Sequence, residues 1–361
     1  MENQLTKVGI TIGDINGISP EIIIKSLSDK RALEGFTPVV YGLKGVFDYY
    51  KELLNNEDFV FQQIPSADKI INKKINLISI QKESAQIDLG SSTKIAGELA
   101  IESLERATSD LAAGKIDVLV TAPFCKESVQ MSGFEFPGHT EFLANLSGEE
   151  DALMVLVSPS LKVALVTVHI PIKEVVEVLN KDLIERKIKE FNNCLIKDFG
   201  IVKPKIAVLG LNPHAGENGK IGSEEKEMIL PAINSQKKQG VLAFGPYPSD
   251  GFFGSKMLSS FDGVLAMYHD QGLGPFKALC FDDGVNYTAG LPIVRTSPDH
   301  GTAFDIAGKN MASAQSMRSA IYCAIDVFKC RKWVKEISKN PLKSMIDKKP
   351  KKEKNVQKQK N

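Results

Sequence analysis

At 361 residues the chain is long for one core and suits two domains of ordinary size. Its 43% hydrophobic and 25% charged content is that of a globular, water-soluble protein. The net charge of +1 hides a basic tail: seven lysines and one glutamate follow from Lys348, leaving 38 basic and 43 acidic residues elsewhere, about −5, which excludes a nucleic-acid-binding footprint.

The segment 346–361 has almost nothing apolar to bury, and disorder is expected there. The five cysteines (Cys125, Cys194, Cys280, Cys323, Cys330) form no CxxC pair and are odd in number, which points to a reducing compartment. No secretory pattern opens the sequence, and no apolar run approaches the ~20 residues of a membrane span. A cytoplasmic protein without membrane or nucleic-acid partners is expected.

Val8 to Ile12 reads as a strand. Gly13-Asp14-Ile15-Asn16-Gly17-Ile18-Ser19-Pro20-Glu21 then reads as a turn into a helix, with Pro and Glu in its first turn. It matches neither GxGxxG nor the Walker A pattern. Strands are predicted over Pro38–Tyr41, Ile75–Ile80 and Asp117–Val120, with helices over Val46–Leu54 and Lys94–Ala113 between them. Further strands follow over Leu161–Val168, Lys205–Gly210, Val241–Phe244 and Gly263–Met267. The helices between and after them cover Ile172–Asn180, Leu183–Phe199, Ser223–Lys238 and Met311–Ile337. Alternation of this kind predicts an α/β fold with a mostly parallel sheet covered by helices.

Only five histidines occur, and three of them, His169, His214 and His269, fall just beyond predicted strand ends. Ligands of open α/β sheets bind outside the carboxyl ends of the strands. A single histidine there is usually a capping residue. Three, from segments 45 and 55 residues apart, form a plausible set of metal ligands that leaves positions open for substrate. Asp250 and Asp270 supply carboxylates near this edge, either to accept a proton or to orient a histidine. Lys277 and Arg295 suit a phosphate or carboxylate, arginine as a two-pronged donor and lysine as a point charge. Residues 262–310 also hold Asn286 and the polar run His300-Gly301-Thr302-Ala303, a density of polar groups costly to bury unpaired.

With these segments laid out, the sequence resembles the 4-hydroxythreonine-4-phosphate dehydrogenase family, NAD-dependent enzymes of pyridoxal phosphate biosynthesis. The resemblance runs from about Val8 to about Ile337. It is carried by GDINGISPE (13–21), TAPFCK (121–126), GHTEFLA (138–144), VTVHIP (166–171), LNPHAGENG (211–219), GPYPSDGFF (245–253), YHDQGLGPFK (268–277) and DHGTAFDIAGKN (299–310). Ile15, Asn16 and Ser19 depart from the family's usual first loop, and Gly274 stands where an apolar residue is usual.

The resemblance implies two α/β/α domains of the isocitrate and isopropylmalate dehydrogenase kind, with the active site between them. The outer domain would comprise 1–130 and 275–345, and 131–274 would form a central domain carrying metal and dimer contacts. It further implies one divalent ion (zinc, magnesium or cobalt) on His169, His214 and His269. Substrate contacts would come from His139, Thr140, Lys277, Asn286 and Arg295. His300, Gly301, Thr302, Asp305 and Asn310 would lie along the adenosine end of NAD. The site would sit at a homodimer interface and take a small phosphorylated amino acid, with Asp270 or Asp250 as base. An enzyme of the same fold acting on erythronate or threonate 4-phosphate is the nearest rival reading.

Overall fold

Aliphatic and β-branched runs form twelve strands in the structure, a computed structural model that describes residues 5–80, 85–136, 138–148 and 152–340. The basic tail expected to be disordered lies outside the described residues. The strands are β1 (Thr6–Thr11), β2 (Phe36–Gly42), β3 (Gln62–Ile64), β4 (Asn76–Ser79), β5 (Val118–Thr121) and β6 (Leu153–Val157). Then come β7 (Lys162–Leu165), β8 (Lys205–Leu209), β9 (Leu242–Tyr247), β10 (Gly263–Ala266), β11 (Val285–Ala289) and β12 (Arg295–Pro298).

All twelve join one sheet in the order β3-β4-β2-β1-β5-β12-β11-β6-β7-β10-β8-β9. Pairing is parallel except where β11 meets β12 and β6, and where β6 meets β7. The mostly parallel sheet is the expected one. Strands drawn from 1–130 and 275–345 occupy one side of the order, and those from 152–274 the other.

The helices that matter for the site are α1 (Ser19–Leu27), α2 (Lys94–Ala112), α3 (His139–Ser147), α4 (Lys181–Lys197), α5 (Leu230–Lys238), α6 (His269–Cys280) and α7 (Gln315–Ile337). Local chemistry sets their starts. Pro20 opens α1 and Glu21 pairs with Lys25 at 2.7 Å. The Thr93 hydroxyl accepts from Ala96 N at the start of α2, and Asn180 does the same for Leu183 N at α4. The C-terminal helix α7 packs across β5, β11 and β12, burying Met317, Ala320, Ile321 and Ala324. Each large aliphatic or aromatic side chain so buried contributes roughly 1.5–3 kcal/mol.

Several elements differ from expectation. The helix expected from Met311 begins at Gln315, and ahead of it the Ala312 N–H donates to Glu21 Oε1 at 2.9 Å. Residues 268–277 read as a polar site segment, yet all but Tyr268 lie in the regular helix α6 despite Gly272, Gly274 and Pro275. Packing overrides propensity there. A Cβ on Gly272 would sit 2.6 Å from Leu165 Cδ2, so only glycine lets α6 lie against β7, while Leu273, Phe276 and Cys280 are buried beneath it.

Candidate active site

Three parallel strands, β7, β10 and β8, stand side by side with level ends. Leu265 is in register with both Ala164 and Val208. His169 follows Leu165 by four residues, His269 follows Ala266 by three, and His214 follows Leu209 by five. Adjacent strands lie about 4.8 Å apart, so one sheet edge carries all three imidazoles. The rings of His169 and His269 have centroids 6.0 Å apart. His269 Nδ1 lies 2.7 Å from Asp270 Oδ1, and His169 Nδ1 lies 3.6 Å from Glu141 Oε1. Each ring thus turns Nδ1 to a carboxylate and leaves Nε2 for another partner, the arrangement common to metal-binding histidines. Among the described residues of one chain, no three His, Cys, Asp or Glu side chains converge closely enough to hold a metal.

His214 is exposed, on a turn of unusual backbone. His214, Ala215, Gly216, Glu217 and Asn218 all have positive φ, at 53°, 49°, 76°, 41° and 61°. Left-handed conformations cost non-glycine residues on the order of 1–3 kcal/mol each, and such segments persist only when their surroundings hold them.

Beside the histidines lies a cavity of about 280 Å³ whose walls include His139, Thr140, Lys277, Asn286, Arg295 and His300. All five residues expected to contact substrate therefore face one space. Arg295 opens β12 and is 3% exposed. Its Nε donates to Thr121 Oγ1 at 3.0 Å, and Nη1 donates to Thr288 Oγ1 at 3.2 Å and Thr140 Oγ1 at 3.5 Å. Its bonds among the described residues all end on neutral hydroxyls, and burial brings its pKa down to about 10. No anion hydrogen-bonds this buried cation among the described residues, though the Glu141 carboxylate is near enough to favour its charge.

The His139 ring stacks on Phe124, centroids 3.8 Å apart. Burial, and then the Arg295 charge, hold its pKa well below the ordinary value, so it is a neutral donor or acceptor. Lys277 Nζ lies 3.9 Å from Asp299 Oδ1, and burial raises the Asp299 pKa. Two polar atoms in this wall, Asn286 Oδ1 and His300 Nε2, are buried without a hydrogen-bond partner. Such atoms are costly unless something fills the cavity.

The remaining expected residues are set around it. Gly301 lines the cavity. Thr302 docks on the first loop, where its carbonyl accepts from Ile18 N at 3.0 Å. A Cβ on Gly17 would lie 2.7 Å from that carbonyl oxygen, so glycine is required. The Asp305 carbonyl accepts from Lys309 Nζ, and the Asn310 carbonyl from Lys25 Nζ on α1. Asn16, a departure from the family's usual loop, is fully buried. Its Nδ2 donates to Ser91 O and Thr93 Oγ1, and its Oδ1 accepts from Asp88 N. Asp250 and Asp270 are exposed and are not among the residues lining the cavity of one chain.

Sequence reading missed Glu141, Phe124, Thr121 and Thr288. Two of them, Thr121 and Phe124, sit in the quoted TAPFCK segment, and Glu141 sits in GHTEFLA. The Thr121 bond to Arg295 spans 174 residues, and no local pattern signals it. No helix among the described residues is long and apolar enough to cross a membrane.

The family model described as "Pyridoxal phosphate biosynthetic protein PdxA" matches residues 34–324. A curated 4-hydroxythreonine-4-phosphate dehydrogenase from Bacteroides thetaiotaomicron is 46% identical over 344 residues, covering 95% of this chain and 94% of the relative. A D-threonate 4-phosphate dehydrogenase from Cupriavidus necator is 40% identical over 323 residues, covering 89% and 97%. The crystal structure of 4-hydroxythreonine-4-phosphate dehydrogenase from Klebsiella pneumoniae superposes with a TM-score of 0.77 at 37% identity, covering 91% and 99%. Isocitrate dehydrogenase from Methylococcus capsulatus, at 13% identity and a TM-score of 0.51 over 92% and 88%, shares the fold. Matched along most of its length by sequence and by structure, this chain belongs to the PdxA family of pyridoxal phosphate biosynthetic proteins.

Proposed function

We propose that the chain oxidises 4-phosphooxy-L-threonine with NAD, aided by one divalent ion, and that the 3-keto acid decarboxylates to 3-amino-2-oxopropyl phosphate. Arg295 carries this reading. A buried guanidinium with only hydroxyl partners shares a cavity with Lys277, and two fixed cations suit a ligand with a phosphate and a carboxylate. His139 and Thr140 fix its orientation, and Asn286 Oδ1 accepts from a donor such as an ammonium group.

NAD, when bound, would accept hydride from C3, and the hydroxyl proton would pass to a carboxylate of the protein. Asp270 and Asp250 are the candidate acceptors, and since both lie outside the cavity of one chain, either would reach it from the partner subunit. The β-keto acid then breaks its C1–C2 bond, and C2 takes up a proton. His169, His214 and His269 would hold the metal, and the pairing of two rings at 6.0 Å with carboxylates on Nδ1 fits them for it. When bound, a divalent ion would lower the pKa of the substrate hydroxyl as a Lewis acid.

A homodimer with the metal set completed between subunits is part of this reading; among the described residues of one chain no three such donors converge. The segment from His300 to Asn310 takes the adenosine end of NAD. The strand order supports reading 1–130 with 275–345, and 131–274, as two domains with the cavity at their junction.

A second reading, D-threonate 4-phosphate as substrate, is favoured by the 40% identity to the Cupriavidus necator relative. The two substrates differ at C2, ammonium against hydroxyl. The test is NADH formation with each, with NAD and with zinc, magnesium or cobalt added. Faster turnover of 4-phosphooxy-L-threonine is expected. Turnover of neither sinks the proposal, and preference for D-threonate 4-phosphate establishes the second reading.

A further inference from the structure

Glu225 is a buried carboxylate that belongs to no part of the cavity. It is 5% exposed and opens a π-helical turn, Glu225–Ile229, that precedes α5. Its Oε1 accepts from two backbone donors, Leu211 N at 2.8 Å and Asn212 N at 2.7 Å. Its Oε2 accepts from Asn212 Nδ2 at 3.0 Å. These bonds fall on the two residues that lead into Pro213 and His214.

The turn is moulded onto this carboxylate. A Cβ on Gly210 would meet Glu225 Oε1 at 3.1 Å, and one on Gly216 would meet Oε2 at 2.5 Å. Glycine at both points lets the chain close around the carboxylate. Farther along, Asn212 Nδ2 also donates to Glu224 Oε2 at 2.7 Å, and the Asn218 carbonyl accepts from Lys226 Nζ. The left-handed run from His214 to Asn218 is thus clamped before its start and at its end by three consecutive residues, Glu224, Glu225 and Lys226. A run with four non-glycine residues at positive φ does not hold itself. Removing the central acceptor frees Leu211 N and Asn212 N, and the turn gains an extended alternative that points His214 elsewhere.

We propose that Glu225 is a positioning residue that sets the place of the His214 imidazole for metal binding through the strained turn, without touching metal or substrate. This rests on the reading of His214 as a metal ligand. Orienting partners of metal ligands are worth on the order of 10–100-fold in affinity.

The test uses the full chain stripped of metal and titrated with Co²⁺ alone, followed by its visible absorption, with far-UV circular dichroism as the control on folding. Glu225→Ala is expected to stay folded and bind Co²⁺ about 10–100-fold more weakly with an altered band. Glu225→Gln keeps the volume and one acceptor, and is expected to fall between it and the parent. Parental affinity and spectrum in either folded variant overturn the proposal. If Glu225→Ala does not fold, Glu225→Gln decides on the same criterion. Failure of both to fold also overturns it, because the carboxylate would then hold the domain together and not only the turn. His214→Ala runs in parallel. If the parent takes up no Co²⁺, or His214→Ala takes it up unchanged, the metal reading itself falls. Loss in His214→Ala with none in the Glu225 variants removes only the positioning role.

Discussion

Arg295 Nε donates to Thr121 Oγ1 across 3.0 Å, a charged group, itself only 3% exposed, bound to a neutral one. The hydroxyls of Thr121, Thr140 and Thr288 aim the guanidinium without neutralising it, so its charge remains for a ligand. Burial lowers its pKa to about 10, and the nearby Glu141 carboxylate offsets that only in part.

Arg295→Lys should therefore be far from conservative. The lysine keeps charge but loses the two-pronged donor and its hydroxyl supports. KM for the phosphorylated acid should rise on the order of 10–100-fold, equivalent to roughly 1.4–2.7 kcal/mol, with a smaller change in KM for NAD. Steady-state kinetics on both substrates checks this, and an unchanged KM for the acid would remove Arg295 from the binding role.

Acid should weaken the fold through His139. Burial first, and then the Arg295 charge, hold its folded pKa well below the value of 6.5 it takes when unfolded. The unfolded state then binds more protons between the two values. The group's contribution to stability is complete above pH ~6.5 and is lost as pH falls from there toward the folded pKa. His139→Gln should flatten that part of the stability curve measured by denaturant unfolding. Curves of the same slope in both proteins would show that the ring is not held neutral.

The first loop and the His300–Asn310 segment should fail together. Gly17→Ala drives a methyl against the Thr302 carbonyl, and Asn16→Ala removes three part-buried hydrogen bonds. Asn16→Ala should cost about 1–3 kcal/mol in unfolding free energy. Gly17→Ala should raise KM for NAD about 10-fold, roughly 1.4 kcal/mol, and alter KM for the acid far less. If it shifts KM for the acid alone, the segment does not serve the cofactor.

Much of this was legible from residues alone. The strand-to-helix turn at Gly13–Glu21, the three strand-end histidines and the family resemblance needed only local pattern. The short strands β11 and β12 were not legible, because the polar Asn286, Thr288 and Arg295 interrupt the apolar pattern that marks a buried strand. Helix α6 was hidden by Gly272, Gly274 and Pro275, whose low helix propensity is outweighed by packing against Leu165.

The order of strands and helices, the family and the kinds of side chain available for catalysis follow from sequence, because periodicity, turn chemistry and motif are local properties. Tertiary structure alone decided that β10 lies between β7 and β8, setting His169, His214 and His269 on one edge. It alone gave Arg295 only neutral hydroxyls as hydrogen-bond partners, and it alone set Glu225 under the turn that carries His214. Those relationships depend on which distant segments share space, and burial gives each of them its energetic weight.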